Sequence, residues 1–447
     1  MKKLSFISRF FLVAMMLGLV NLVVAQDLKI QYFRSPDQSG VNVFETSKTP
    51  GAEFDGMKVR IGGNFAQQFQ ALSHENKAYY VNEDGTDKLV NGLNKLTPGF
   101  NLATANLNVD AQLAEGIRLN LVMYLSSRHH QETWVKGGYI QIDKLPFDVE
   151  VLDKIMENVT IKVGHMEINY GDTHFRRSDN GNTIYNPFVG NYIMDAFATE
   201  IGGEIYFQKA GFLAMASMTN GEIKGNIVDG DYTDPVTGEK VEGKLAPAII
   251  GKVGYDKQIN DNIRVRLTGS VYYTAKSASN TLYSGDRTGS RYYGVLIANG
   301  AADNFRSGRY SPGFSSKVTA VMINPFVKVA GLEVFGVYEI AKGGTAAEVE
   351  ANAERTWNQM SVEAIYRFFP NESVFLGARY NTAKEATEGV TNPQSIERIQ
   401  VGGGWFVTPN VLMKVEYVNQ TYTNFAEATV FNQGLFKGVV VEAVVGF

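Results

Sequence analysis

The chain has 447 residues, with 42 Lys and Arg against 46 Asp and Glu, a net charge of −4 and no cysteine. The mild acidity argues against nucleic acid as a partner, and the missing thiols exclude disulfides, thiol nucleophiles and cysteine metal sites. A mean hydropathy of −0.14 is too polar for a bundle of membrane helices, while 45 Gly, 22 Tyr and 27 Phe stand beside only 12 Pro.

The chain starts with Lys2 and Lys3, continues to Arg9, and then runs apolar from Phe10 to Val20 before Val23-Val24-Ala25 and Gln26. A basic start, a short apolar core and small residues at the cut predict a secretory signal over residues 1–25. The alternative is a retained anchor, but the run is short and no stop-transfer pattern comes after it. Removing the signal leaves 39 basic residues against 46 acidic, a net charge of about −7. Residues 26–56 carry turn formers, Ser35-Pro36-Asp37 and Thr49-Pro50-Gly51. They form an N-terminal lead that lies either in the periplasm or in the lumen of the domain beginning at residue 57.

From residue 57 onward no apolar stretch reaches the length of a membrane helix. Segments of about ten residues alternate apolar and polar instead, bounded by Gly, Asn, Asp or Pro. Ile117, Leu119, Leu121, Met123 and Leu125 oppose Arg118, Asn120, Tyr124 and Ser126. Ile263, Val265, Leu267 and Val271 oppose Arg264, Arg266, Thr268 and Ser270. The last segment sets Val439, Val441, Ala443, Val445 and Phe447 on one face. Strands are predicted near 57–69, 100–109, 117–126, 134–142, 159–168, 198–207, 211–219, 246–255, 263–275, 318–329, 332–341, 357–368, 373–382, 396–406, 411–420 and 437–447, sixteen in all. Short turns alternate with long polar loops, except at 143–158, where Val151 to Met156 suggests a small helix. Pro325 predicts a bulge or a shifted boundary. Segment 159–168 loses its alternation after Val163, and a hairpin hidden near 291–298 would raise the count to eighteen.

A soluble sandwich also alternates. Here, however, the polar faces carry arginines and the apolar faces end in aromatics such as Tyr273, Tyr380, Trp405, Tyr417 and Phe447. With export, this predicts an all-β, transmembrane antiparallel barrel over 57–447 in the outer membrane of a Gram-negative bacterium, its outside facing lipid. About sixteen strands leave an aqueous lumen, so the expected solutes are small and hydrophilic.

No HExxH or GxSxG motif is present, and His129-His130 lacks a third ligand nearby, so neither catalysis, a metal nor a cofactor is implied. Residues 169–199 are more informative. Ile184, Tyr185, Phe188, Tyr192, Ile193, Met194 and Phe197 want a surface to pack on. Either the loop folds into the barrel, or it packs on its neighbours or on another subunit. Folded inward, it brings Asp172, His174, Arg176, Arg177 and Asp179 to a constriction. Arg118, Arg264, Arg266, Arg379 and Arg398 are expected to face the lumen, in a mildly basic balance that suggests weak anion preference. A different class of reading keeps the lumen plugged and uses outer loops 70–99, 220–245 and 276–317 to engage a partner.

The run Arg398-Ile399-Gln400-Val401-Gly402-Gly403-Gly404-Trp405-Phe406-Val407-Thr408-Pro409-Asn410, returning as Val411 to Val418 with Tyr417, resembles the last-but-one hairpin of the phosphate-selective porin O/P group. The resemblance covers roughly the last 100 residues. It implies a sixteen-stranded homotrimer whose third outer loop constricts the pore, and passive solute transport. Phosphate specificity does not carry over, because the candidate loop offers Arg176 and Arg177 but no lysine cluster.

Overall fold

The structure, a computed structural model, describes residues 29–81, 85, 87–89, 92–128, 131–147, 149–223, 232–233, 240–241, 246–287, 289, 291–302 and 305–447. The signal segment and His129-His130 lie outside the described residues.

Sixteen long strands form one antiparallel sheet closed on itself. They are β1 (Lys58–Glu75), β2 (Thr104–Ala114), β3 (Ile117–Leu125), β4 (Trp134–Ile142), β5 (Val159–Glu167), β6 (Thr199–Lys209), β7 (Phe212–Thr219), β8 (Ala248–Asn260), β9 (Ile263–Thr274), β10 (Lys317–Val329), β11 (Leu332–Gly344), β12 (Arg355–Phe368), β13 (Val374–Glu385), β14 (Ser395–Thr408), β15 (Val411–Thr423) and β16 (Leu435–Gly446). Each predicted segment matches one of them. A two-residue strand, Gly99–Phe100, extends the sheet beside β1.

Closure is made by β1, which pairs with β2 at one end and β16 at the other. The seam finishes at Phe447, which exchanges backbone hydrogen bonds of 2.8 and 2.9 Å with Gly63. An even number of antiparallel strands leaves no free edge, so the ladder is satisfied without water.

Alternation sorts the side chains. On β15, Met413, Val415 and Tyr417 are 39–49% exposed, whereas Leu412, Lys414, Glu416 and Val418 are at most 2% exposed. Apolar residues point outward and charged ones inward, the reverse of a soluble protein and the pattern of a barrel in lipid. No helix among the described residues is long and apolar enough to cross a membrane.

Turns between β2 and β3, β6 and β7, β8 and β9 and the later pairs are short at one rim, and the loops at the other rim are long. The exception at 143–158 holds the helix α1 (Glu150–Met156). Pro325 produces no bulge. The β10–β11 register is the same before it, Ile323↔Tyr338, and after it, Phe326↔Phe335. Pro325 has no N–H, and the neighbouring Asn324 side-chain amide donates to Gly336 O at 3.1 Å instead. A bulge does occur between β3 and β4, where Val122↔Gly137 is followed by Met123↔Val135. The extra residue, Lys136, turns into the barrel. The hairpin suspected near 291–298 is not formed. Its only sheet-like contact among the described residues is the bridge Leu93↔Ala298.

Candidate functional site: three inserted segments and a cavity along the barrel wall

Three irregular segments enter the barrel. The first is the loop between β5 and β6, whose residues Thr183 and Phe188 to Ala198 are nearly all fully buried. Irregular backbone at membrane depth must have its polar groups met by protein. The inward-facing side chains of the far wall do this. Asn381 Oδ1 accepts from Ile193 N at 2.7 Å, Gln359 Oε1 from Met194 N at 2.8 Å and Glu416 Oε2 from Val189 N at 2.8 Å. Lys414 Nζ donates to the carbonyls of Thr183, Asn186 and Phe188 at 3.0–3.1 Å. Arg379 lies 4.4 Å from the ring centres of both Phe188 and Tyr192.

The second segment comes after β9. Tyr283, Tyr292, Val295 and Leu296 are buried, with Tyr283 Oη donating to Glu339 at 2.7 Å and Tyr292 Oη to Glu416 at 2.6 Å. Sequence reasoning placed 276–317 among the outer loops available to a partner. The correction is that its described centre folds inward, because its tyrosines meet buried carboxylates there. Most of 224–245 and part of 82–91, in the other two candidate loops, lie outside the described residues.

The third segment is the N-terminal lead, whose place in the lumen sequence reasoning left open. It packs at the short-turn rim, with Gln38 N donating to Pro409 O at 2.9 Å and Lys48 Nζ to Val159 O at 2.7 Å. Phe44 is 3% exposed and sits edge-on to Phe175 at 5.7 Å and Phe326 at 5.5 Å. Arg34 stacks 3.6 Å from the centre of the Tyr185 ring, whose hydroxyl donates to Ser35 O at 2.6 Å.

Lead and loop meet at one ionic cluster. Lys252 on β8 lies 2.8 Å from Glu45 and 2.7 Å from Asp172, and Arg266 on β9 lies 2.8 Å from each. Burial alone would raise the Glu45 carboxyl, but Lys252 and Arg266 outweigh it and hold it at about 2. The same two cations hold Asp172 well below the ordinary carboxylate range against its burial.

These segments pack against β8–β16 and also reach β2 and β5, through Asn180 to Ala105 O and Lys48 to Val159 O, and leave a cavity of about 300 Å³ along the wall made by β1–β6. Its lining runs from Thr160 and Gln208 near the short turns to Lys136 and Thr199 near the long loops. Of the candidate constriction residues, the cavity brings together His174, Arg177 and Asp179. His174 Nδ1 lies 2.5 Å from Glu167, Arg177 pairs with Asp195 at 2.7 Å, and Asp179 pairs with Lys136. Asp172 is sealed in the ionic cluster, and Arg176 is sealed against Glu363 at 2.7 Å. Among the expected lumen-facing arginines, Arg118 lines the cavity, held at 3.0 Å by Asp110. Arg266, Arg379 and Arg398 also point inward but are at most 4% exposed, covered by the inserted segments. Arg264 pairs with Asp256 at 2.7 Å nearer the rim.

Sequence reasoning missed Arg34, Glu45, Lys136, Lys162 and Lys252. Lys252 carried a usable signal, as a lone cation on the polar face of a strand. Lys136 did not, because the bulge that re-aims it is set by pairing.

A closed barrel, apolar outside and polar within, defines an outer-membrane-type β-barrel. No protein-family model matches the sequence, and no curated protein matches it. Among solved structures, the chain is similar to a loop-deletion mutant of OmpT, an outer membrane protein of Vibrio cholerae, with TM-score 0.49 and 12% identity over 88% of this chain and 100% of that one. It is similar to the outer membrane channel DcaP of Acinetobacter baumannii, with TM-score 0.49 and 11% identity over 88% and 99%. It is also similar to an anion-selective porin from Comamonas acidovorans, with TM-score 0.48 and 11% identity over 88% and 100%.

Proposed function

We propose that the protein is a porin of the Gram-negative outer membrane, a passive diffusion channel for small hydrophilic solutes with weak anion preference. The polar cavity running along the β1–β6 wall carries this reading. Five cationic side chains line it, Arg34, Arg118, Lys136, Lys162 and Arg177, against four carboxylates, Glu45, Asp110, Glu167 and Asp179. Charge lining a narrow aqueous path sets ion preference, and this balance is only slightly basic. No covalent step and no cofactor enter the reading.

The test is single-channel conductance of the purified protein in planar bilayers, followed by the reversal potential in a KCl gradient. Current with a reversal potential displaced slightly toward chloride supports the reading, and cation preference refutes the selectivity. A plugged, partner-binding barrel is the second reading, favoured by the three segments that enter the lumen. Absence of current supports it.

Export by a signal cleaved after Ala25 is part of the proposal, and N-terminal sequencing of the mature protein checks it. So is a homotrimer, supported by the resemblance. Mass measurement in detergent by light scattering decides the trimer.

A further inference from the structure

β1 runs past its pairing with β2, which stops at Ala66↔Thr104. Two of its last inward positions, Gln70 and His74, meet the segment that enters after β9. Gln70 exchanges hydrogen bonds of 2.9 and 3.0 Å with the backbone of Tyr293. His74 holds two segments at once. Its Nδ1 accepts from Leu296 N at 2.9 Å, and its Nε2 donates to Asn94 O at 2.6 Å. Those segments are tied to each other by Asn94 N to Ile297 O at 2.9 Å and Asn299 N to Gly92 O at 3.0 Å. Residues 92–94 and 296–299 thus form one cap at the long-loop rim, and the imidazole fastens both halves of it to the wall.

These partners set the protonation of the ring. A backbone N–H only donates and a carbonyl oxygen only accepts, so the bonds are made by the neutral imidazole with its proton on Nε2. A second proton would sit on Nδ1 and face the Leu296 N–H, turning a hydrogen bond into two opposed donors. No neighbouring charge offsets that. Glu75 and Lys77 beside it in the chain, Lys95 in the cap loop and Lys437 next to its β16 partner Phe436 are all exposed. From the inserted segment, Arg291 is held by Glu442 and Tyr292 by Glu416. Among the described residues no carboxylate bonds the ring. Histidine is the side chain whose ordinary titration falls between about pH 5 and 8.

We infer that His74 is a pH-sensitive latch for the outer cap, closed while the ring is neutral and released when it is protonated. The closed cap has its full stability above the ordinary imidazole range and loses it as pH falls through that range. One proton changes the closed-to-open ratio by at most about tenfold per pH unit. Release would uncover Leu296, which is 4% exposed, and the leucines Leu93 and Leu96 packed on the same core. None of His74, Asn94 and Leu296 lines the cavity, so the latch acts on the outer surface and not on the proposed path. The inference stands whether or not the barrel conducts.

The chain has no cysteine, so a pair introduced as Ala301→Cys beside the cap and Thr423→Cys at the top of β15 carries the only spin labels. Pulsed electron resonance on the full-length protein in lipid nanodiscs then reads the distance between cap and wall. One narrow distance is expected at about pH 7.5 and a broadened distribution at about pH 5. His74→Gln keeps an acceptor and a donor on one planar group but cannot be charged in this range, and it is expected to stay narrow at both. His74→Ala, which removes both bonds, is expected to be broad already at about pH 7.5. The inference is overturned if the unsubstituted His74 protein stays narrow at both pH values. It is also overturned if the acid broadening persists in His74→Gln, or if His74→Ala is as narrow as the parent. The first of these outcomes needs no variant at His74 and so decides even if the substituted chains fail to fold.

Discussion

Glu45 of the N-terminal lead and Asp172 of the loop entering from the opposite rim are bound to the same two cations, Lys252 and Arg266, at 2.7–2.8 Å. The cluster therefore ties one rim's insertion to the other's. Lys252→Met leaves two buried carboxylates on one guanidinium and also removes hydrogen bonds of 2.6 and 2.9 Å to Asn169 and Gly171. Removing one partner of a buried ion pair costs about 3–5 kcal/mol. A lower temperature for the heat-induced shift from folded to unfolded migration on gels is the expected outcome. Unchanged heat modifiability would mean that the cluster holds nothing together.

The cluster also predicts a pH response. The Glu45 carboxyl sits at about 2, below its ordinary value of 4.5. A carboxylate depressed on folding stabilises the folded arrangement fully above its unfolded value, and that stabilisation is lost as pH falls toward the folded one. The lead is therefore expected to stay seated from neutral pH down to about 4.5 and to loosen between 4.5 and about 2. Single-channel conductance should be flat across the first range and rise across the second. Glu45→Gln should flatten much of that rise. A conductance that climbs between about pH 7 and about pH 5 would contradict this assignment.

Deleting residues 30–50 from the mature chain removes Phe44, Asn42 and Arg34 from the short-turn rim while leaving the strand ladder intact. Conductance is expected to increase by at least about twofold, since pore radius sets flux. The comparison is deletion of residues 172–192, which would open the proposed path from the other rim. If neither deletion alters the current, the path lies elsewhere.

The barrel was legible because lipid on one side and a polar interior on the other force a period of two. Strands such as β9 and β15 carry that period without interruption. The inward loop was legible for a related reason: Phe188, Tyr192 and Ile193 are too apolar for a loop in water. What the charges do was not legible. Arg379 and Arg398 read as pore lining by position, yet they donate to the loop's Gly190 and Asn191 carbonyls and are buried under it. The lead was harder still. Phe44 and Glu45 belong to no periodic pattern, and their role depends on Phe326, Lys252 and Arg266, far along the chain. The same limit hid Lys136, whose inward turn comes from a one-residue offset between β3 and β4.

Gly336 tests the repair at Pro325. A Cβ at Gly336 would lie 2.8 Å from Pro325 Cγ, inside van der Waals contact. The ring cannot swing away, since Pro325 is paired with Leu267 on the other side. Gly336→Ala is therefore expected to destabilise the barrel by about 1–3 kcal/mol, the usual cost of overpacking. The urea midpoint of unfolding from detergent reads this, and ion selectivity should not move. An unchanged midpoint would show that the two strands separate there at no cost.

Ion preference should track single charges along the proposed path, in opposite directions. Asp179 lies beside Lys136 and 3.5 Å from Arg177, and its side chain is 16% exposed. Asp179→Asn leaves five cations facing three carboxylates along the lining and frees Lys136 to attract a passing anion. Lys162 is its mirror, 3.6 Å from Glu204 and 19% exposed. Lys162→Gln evens the lining at four against four. In a KCl gradient, the first variant should move the reversal potential toward chloride and the second toward potassium. The shifts should shrink as salt rises, because about 1 M salt screens charges beyond roughly 3 Å. If both variants move the potential the same way, or neither does, the solutes do not pass between Asp179 and Lys162.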